Sequence, residues 1–307
     1  MKQSKKHHKI TGMKAPYLNK GDTIGVFSPS SWVEKSDIEL SARYVEAQGL
    51  KTFVHPQTYA RHKQSAGTHE EKLQAFYDLW DNPDIRCIWA AGGGNRCLHW
   101  IDHIDYTKLS QTPKTIIGFS DVTALLNAVY AHCGLQTIHG TNFNRLHKCK
   151  QNQIHIDLIT GSRIIYPENG CHILRQGRTK SPMVGGNLSV FQYLPQTLLR
   201  NFYKDHILFL EDCNEELSRI DRMLLHLRRS EVLNNVSGLI FGQFGPIPET
   251  GKPFGFDVED IIKEHTHGLN IPIIMNARFG HQEDLFPFTI GGYVDFDTTK
   301  QAEILCL

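Results

Sequence analysis

From Asp22 onward, short apolar runs alternate with stretches whose apolar residues recur every three or four positions. DTIGVFSPS is a short apolar run ending in a polar turn, which predicts a buried strand. SDIELSARYVEAQGL has helical spacing and closes on Gly49. KTFVHP predicts a second strand. EEKLQAFYDLWDNPD predicts an amphipathic helix ended at Asn82-Pro83, because the residue before a proline is pushed out of the helical region. IRCIWAAGGG predicts a strand entering a glycine turn, NRCLHWIDHI a helix, and TIIGFS a further strand. DVTALLNAVYAHCG predicts a helix stopped by Gly134, and LQTIHG one more strand. This alternation predicts an α/β fold built on a doubly wound parallel sheet with helices on both faces. Ligands of such sheets bind beyond the carboxyl ends of the strands, where the glycine turn and Ser120 both fall.

The pattern breaks between residues 143 and 180, which are polar, basic and weakly periodic and leave room for a strand or two. After Gly185-Gly186-Asn187 regular spacing resumes. LSVFQYLPQTLL predicts a helix and HILFLED a strand. EELSRIDRMLLHLRRS predicts an amphipathic helix with Leu217, Ile220, Leu224 and Leu227 on one face. VSGLIFGQF, FDVEDIIKEHT and IPIIMNARFGH predict strand, helix and strand, the last ending at Gly280-His281. The tail TIGGYVDFDTTKQAEILCL predicts paired strands. The expected organisation is a tail over 1–13, an N-terminal domain over 14–145, a connecting segment over 146–180, and a smaller α/β C-terminal domain over 181–307.

Charge removes several function classes. The chain carries 33 basic and 32 acidic residues, a formal net charge of +1, so it offers no electrostatic footprint for nucleic acid or an acidic membrane. The basic start MKQSKKHHK is followed by no apolar segment of a signal peptide and is expected to be a disordered tail of a non-secreted, cytoplasmic protein. No apolar run is long enough for a membrane helix. The seven cysteines are odd in number and form no CxxC pair, which fits a reducing compartment. His99 and His103 lie four apart and on a helix could form a metal pair. A third ligand would be needed and no HExxH pattern is present, so packing or surface roles are the simpler reading.

Four strand ends carry candidate chemistry. Ser120, in Gly118-Phe119-Ser120-Asp121, sits on a strand-to-helix turn whose N–H groups could stabilise an oxyanion. Serine is equally a favoured helix N-cap, and Val122 breaks the G-x-S-x-G pattern of a nucleophile elbow. Glu211-Asp212 ends the HILFL strand and could orient a histidine, cap the following helix, or bind Arg219 or Arg222. His281 follows a glycine and is free to point into a cleft or to stay at the surface. Gly92-Gly93-Gly94-Asn95 could be a phosphate cradle, an oxyanion loop beside Ser120, or an ordinary tight turn; neither G-x-G-x-x-G nor G-K-[ST] follows. Together these residues supply a serine, an acid and a histidine at separate strand ends, and a triad is defined by geometry rather than chain order.

These segments, taken in order, resemble the LD-carboxypeptidase family of serine peptidases, which includes muramoyltetrapeptide carboxypeptidases and microcin C immunity peptidases. The resemblance rests on GDTIGVFSPSS, AAGGGNRCLHWIDHIDY, IIGFSDVTALLNAVY, TIHG, VGGNLSV, LFLEDCNEELSRIDRMLLHL, GLIFGQF and NARFGH. It implies a nucleophile at Ser120, a triad acid at Glu211 and a general base at His281, with an oxyanion hole from the backbone N–H groups of Asp121 and Gly93. It implies an active site in a groove between two domains, usually in a homodimer, and no metal or organic cofactor. The chain departs from the family at Ala91, where arginine is common, at Gly94, where tyrosine is common, and at Thr289, where proline is usual.

The resemblance leads to a serine carboxypeptidase that cleaves the L,D amide bond of murein tetrapeptides and releases terminal D-alanine in peptidoglycan recycling. A microcin-C-type amidase acting on aminoacyl or peptidyl nucleotide conjugates is the alternative enzyme. A non-catalytic ligand-binding protein using the same cleft is the third reading, although a binding module has no need of all three triad residues.

Overall fold

The computed structural model describes residues 12–162, 164, 166, 170–198 and 201–306. Most of the expected basic tail therefore lies outside the described residues. Met13 is held at both ends of its peptide: its N–H donates to the Gly134 carbonyl and its carbonyl accepts from Gln136, each at 2.7 Å.

The first half reads β1 (Thr23–Phe27), α1 (Lys35–Ala47), β2 (Lys51–Val54), α2 (His69–Asp81), β3 (Ile85–Ala90), α3 (Tyr106–Gln111), β4 (Thr115–Gly118), α4 (Thr123–Cys133) and β5 (Thr137–His139). The strands line up as β2-β1-β3-β4-β5, all parallel. Alternation along each strand explains the two-sided burial. Ile24, Val26, Cys87, Trp89 and Ile117 share one apolar cluster with Ile38 and Val45 of α1. Phe27, Ile88, Ala90 and Ile116 share the other with Phe76, Leu79 and Trp80 of α2. Strands buried on both faces need near-continuous apolar sequence, which is what these runs have.

The second half contains α5 (Asn152–Thr160), β6 (His172–Arg175), β7 (Arg178–Asn187), α6 (Leu188–Phe191), α7 (Leu194–Thr197), β8 (Ile207–Asp212), α8 (Leu217–Arg229), α9 (Val232–Asn235), β9 (Gly238–Phe244), α10 (Val258–His265), β10 (Ile273–Met275), β11 (Phe288–Ile290), β12 (Tyr293–Asp297) and β13 (Glu303–Cys306). Strands β7 to β10 are parallel and form the centre of a second sheet ordered β13-β12-β7-β8-β9-β10-β6. The fold is thus a doubly wound parallel sheet with a second α/β domain. Strand β11 crosses back and pairs antiparallel with β5, at the edge of the first sheet.

Helix α4 stands between the two sheets. Every residue from Thr123 to Ala131 is buried. A helix that is apolar all round must be enclosed, and α4 is enclosed by packing from both domains. The joint is tight because Gly186 admits it: a Cβ there would lie 2.8 Å from Thr123 Cγ2.

Three expected elements differ. Residues 95–104 do not form a helix beyond one 3₁₀ turn, Ile101–His103. Arg96 sits at φ 81°, outside the helical region, and the Cys97 N–H is taken by the Asp121 carboxylate at 2.9 Å. His99 and His103 consequently do not share a helix face, and His99 instead faces His69 with ring centroids 5.2 Å apart. LSVFQYLPQTLL splits into the single turns α6 and α7, with Pro195 at the start of the second. The weakly periodic stretch after residue 143 contains a 3₁₀ turn, Phe143–Lys148, and α5, whose Ile156 and Ile159 cover the α1 face of the first sheet.

Candidate active site

The site begins at the carboxyl end of β4. Ser120 is held at φ 64°, in the left-handed region that costs an L-residue about 1–2 kcal/mol. Such strain at a non-glycine residue is tolerated where the surroundings over-determine it. They do so here. Asn142 pairs with the peptide flanking the turn, accepting from the Phe119 N–H at 3.1 Å and donating to the Phe119 carbonyl at 3.4 Å. The Asp121 side chain turns inward, almost fully buried, and ties the 95–97 loop to the turn through Cys97. Burial raises its pKa, against the hydrogen bond from the Cys97 N–H and the nearby Lys72 charge.

Ser120 does not cap α4: the helix has no side-chain cap. Its hydroxyl lies 2.9 Å from His281 Nε2, and His281 Nδ1 lies 2.8 Å from Glu211 Oε2. Thus the three residues, from β4, β8 and the loop after β10, are brought into one line. Glu211 is completely buried. An ionised carboxylate only accepts, so in the neutral ring Nδ1 carries the proton toward Glu211 and Nε2 is left to accept from the serine hydroxyl. Desolvation alone would lower the His281 pKa. The Glu211 charge, the Cys213 sulfur and the Glu211 hydrogen bond outweigh it and raise the pKa to about 10.

Glu211 is aimed by its own strand end. The register of β8 against β9 shifts between Leu210 and Asp212, and such irregularities redirect side chains. Next to it, Asn187 at the end of β7 donates to Glu211 Oε1 at 3.4 Å and to Asp212 Oδ1 at 2.9 Å. Asp212 also accepts from the N–H groups of Ser189 and Cys213. Burial and the neighbouring Glu211 push Asp212 up to about 7, against those hydrogen bonds. His281 rests against Phe119, ring centroids 4.8 Å apart, and Gly280 before it is at φ 134°.

The glycine loop lies beside the serine. A Cβ on Gly93 would stand 2.9 Å from Ser120 Cβ and 3.2 Å from its Oγ, so only glycine leaves this face of the serine open. Gly94 is at φ 113°, and a Cβ there would fall 2.6 Å from Ser31 Cβ. This loop therefore has no room for a side chain at Gly94.

Sequence reasoning missed Asn142 and Asn187, which pair with the serine turn and with Glu211. Asn187 ends the VGGN run, next to glycines already singled out. Asn142 carried no signal beyond its place after TIHG. Among the described residues no group of three or more His, Cys, Asp or Glu is placed to hold a metal ion. Among the same residues no helix is long and apolar enough to cross a membrane.

A model of the LD-carboxypeptidase N-terminal domain matches residues 24–140, and one of the LD-carboxypeptidase C-terminal domain matches residues 180–296. The chain belongs to the LD-carboxypeptidase family. Among its relatives in that family, the murein tetrapeptide carboxypeptidase of Pseudomonas aeruginosa is 27% identical over 271 residues, covering 84% of this chain and 87% of its own. The microcin C7 self-immunity protein of Escherichia coli is 26% identical over 324 residues, covering 90% and 91%. A solved structure of a microcin C7 self-immunity protein in complex with aspartyl sulfamoyl adenosine has the same fold, with a TM-score of 0.85 at 24% identity over 95% of this chain and 98% of that one. Membership in the LD-carboxypeptidase family makes the protein a serine-type carboxypeptidase hydrolase.

Proposed function

We propose that the protein hydrolyses the L,D amide bond of murein tetrapeptides and releases terminal D-alanine, with Ser120 as nucleophile, His281 as general base and Glu211 as the acid that orients it. The observation that carries this reading is the continuous line from Ser120 Oγ through His281 to Glu211, at 2.9 and 2.8 Å. His281 Nε2 takes the hydroxyl proton as Ser120 Oγ attacks the carbonyl carbon. The oxyanion rests on the N–H groups of Asp121 and Gly93. His281 then protonates the leaving amine, the C–N bond breaks, and D-alanine departs. Water, deprotonated by the same imidazole, hydrolyses the acyl-enzyme and restores the serine. The murein substrate is supported by the Pseudomonas relative.

A second reading is favoured by the other relative: cleavage of an aminoacyl or peptidyl nucleotide conjugate by the same serine. Incubation with free murein tetrapeptide, and in parallel with an aminoacyl sulfamoyl adenosine, separates the two by mass spectrometry. Released D-alanine is the expected product. Turnover of the nucleotide conjugate alone would transfer the assignment to the second reading.

The pH profile tests the roles of Glu211 and His281. A base must be neutral to accept a proton, and the Glu211 charge holds the His281 cation. The acid limb of kcat/KM is therefore expected at a pKa above the usual 6.5 of histidine. Glu211→Gln removes the carboxylate and leaves desolvation, so the limb moves down in pH while kcat falls by about 10³–10⁴. A limb that stays in place in this variant contradicts the assignment. The linked effect on stability has a definite sign. The ion pair's contribution is fully present below pH 6.5 and is lost as pH rises through about 10.

A further inference from the structure

A carboxypeptidase must recognise a free terminal carboxylate, and the triad dictates where that group lies. His281 Nε2 protonates the leaving nitrogen, so the leaving residue occupies the histidine side of Ser120. Its carboxylate is two bonds from that nitrogen, which puts the carboxylate oxygens about 3–4 Å from it by ordinary bond lengths. A cation on the histidine side, within reach of those oxygens, would recognise the carboxylate.

Arg145 reaches the main chain of that histidine. Its Nη2 donates to the main-chain carbonyl of His281 at 3.2 Å, and its guanidinium carbon lies 5.7 Å from the centre of the Phe119 ring, directly before the serine. The side chain is half-buried. Among the described residues no carboxylate lies within ion-pair distance of it. Neighbouring cations are committed elsewhere: Arg278 to Asp284, with Nε at 2.9 Å, and Lys150 to Glu283 at 3.7 Å. A guanidinium has five N–H donors in a flat fork that matches a carboxylate, and the bond to His281 uses one.

The backbone that carries Arg145 is held firmly. The Thr141 N–H donates to His155 Nε2 at 2.9 Å, and burial holds the His155 pKa down to about 4, so the ring stays neutral. Asn142 is paired to Phe119 as described. The Asn144 N–H donates to the Ala91 carbonyl at 2.9 Å, and its side chain lies beside Gly92. One five-residue segment thus touches the glycine loop, the serine turn and the histidine loop. An arginine mounted on it keeps its position relative to all three, which is what a fork aimed at one carboxylate needs.

We propose that Arg145 binds the terminal carboxylate of the leaving residue and so makes the enzyme a carboxypeptidase rather than an endopeptidase. This inference rests on the murein reading of the site. It selects substrates with a free C-terminal carboxylate one residue beyond the scissile bond, and it makes a carboxamide at that terminus a poor substrate.

The test compares murein tetrapeptide with its C-terminal carboxamide in wild type, Arg145→Gln and Arg145→Lys. Wild type is expected to prefer the acid by about 10- to 100-fold in kcat/KM, the range of a lost hydrogen-bonded charge contact. In Arg145→Gln the acid loses that factor, mostly in KM, while the carboxamide changes little, so the ratio falls toward unity. Arg145→Lys retains part of the preference. A structural role alone would slow both substrates equally and leave the ratio unchanged. An unchanged ratio in Arg145→Gln, with wild type active, overturns the role of Arg145 and leaves the murein reading intact. Should Arg145→Gln fail to fold, Arg145→Met keeps the stem over Phe119 and supports the same comparison. If wild type cleaves neither peptide while a fluorophosphonate still labels Ser120, the murein reading fails, and the carboxylate anchor with it.

Discussion

Replacing Ser120 with alanine lowers kcat/KM by roughly three to six orders of magnitude, the loss expected when a triad nucleophile is removed. The fold survives, because the change deletes one oxygen whose bond in the structure is to His281 Nε2. Alanine adopts φ 64° at a cost similar to that of serine, so the turn is retained. The decisive measurement is D-alanine release by purified variant and wild type, with thermal melting of both. Fluorophosphonate labelling at Ser120 should disappear in the variant. Residual activity within tenfold of wild type would mean that another group attacks the carbonyl and that the Ser120–His281–Glu211 line is structural.

The second large effect is on folding. Gly185 lies in β7 opposite Phe209 of β8. A Cβ there would overlap the Phe209 carbonyl oxygen and lie 2.8 Å from its carbon, both backbone atoms that cannot swing aside. Its φ of 140° is also one that L side chains rarely adopt. Asn127 of α4 holds this peptide at both ends, accepting from the Gly185 N–H at 3.2 Å and donating to its carbonyl at 2.8 Å. Gly185→Ala therefore has to break the β7–β8 pairing or the joint with α4. A loss of about 4 kcal/mol or more is expected, the range reserved for backbone strain and broken buried networks together. Failure to accumulate as folded protein, or a melting point lowered by more than about 10 °C, is the predicted result. Gly251→Ala is the control: its φ is 83°, but nothing lies within 4 Å of the added Cβ. Equal melting points for the two variants would refute the packing argument.

The sequence carried these elements unequally. The strands of the first sheet were legible because burial on both faces demands continuous apolar runs, as in IRCIWAA and TIIG. Helix α8 was legible because Ile220, Leu224 and Leu227 repeat at helical spacing, and all three are buried. Residues 95–104 misled because their apolar spacing imitates a helix. Asp121, 24 positions from Cys97, claims the N–H that a helix would have used, and Arg96 turns the chain the other way. Helix α5 was hidden because its buried positions are few and one of them is His155, a polar residue whose bonds to Gln151 and Thr141 become visible only in the fold.

By itself the sequence determined the local chemistry and the class of fold: apolar runs that must be buried strands, glycines where the backbone needs room, and a serine and a glutamate at strand ends; His281, expected to end a strand, instead lies in the loop after β10, which stops at Met275. Those features depend on neighbours in the chain, so they can be read along it. Only the tertiary structure decided which strand ends meet. Ser120 and His281 are separated by 161 positions, and their hydrogen bond exists because α4 is clamped between two sheets by Gly185, Gly186 and Asn127. The same folding turned a polar, weakly patterned segment into the support of Arg145, since a side chain's value at a site is set by distances in space, which local periodicity does not encode.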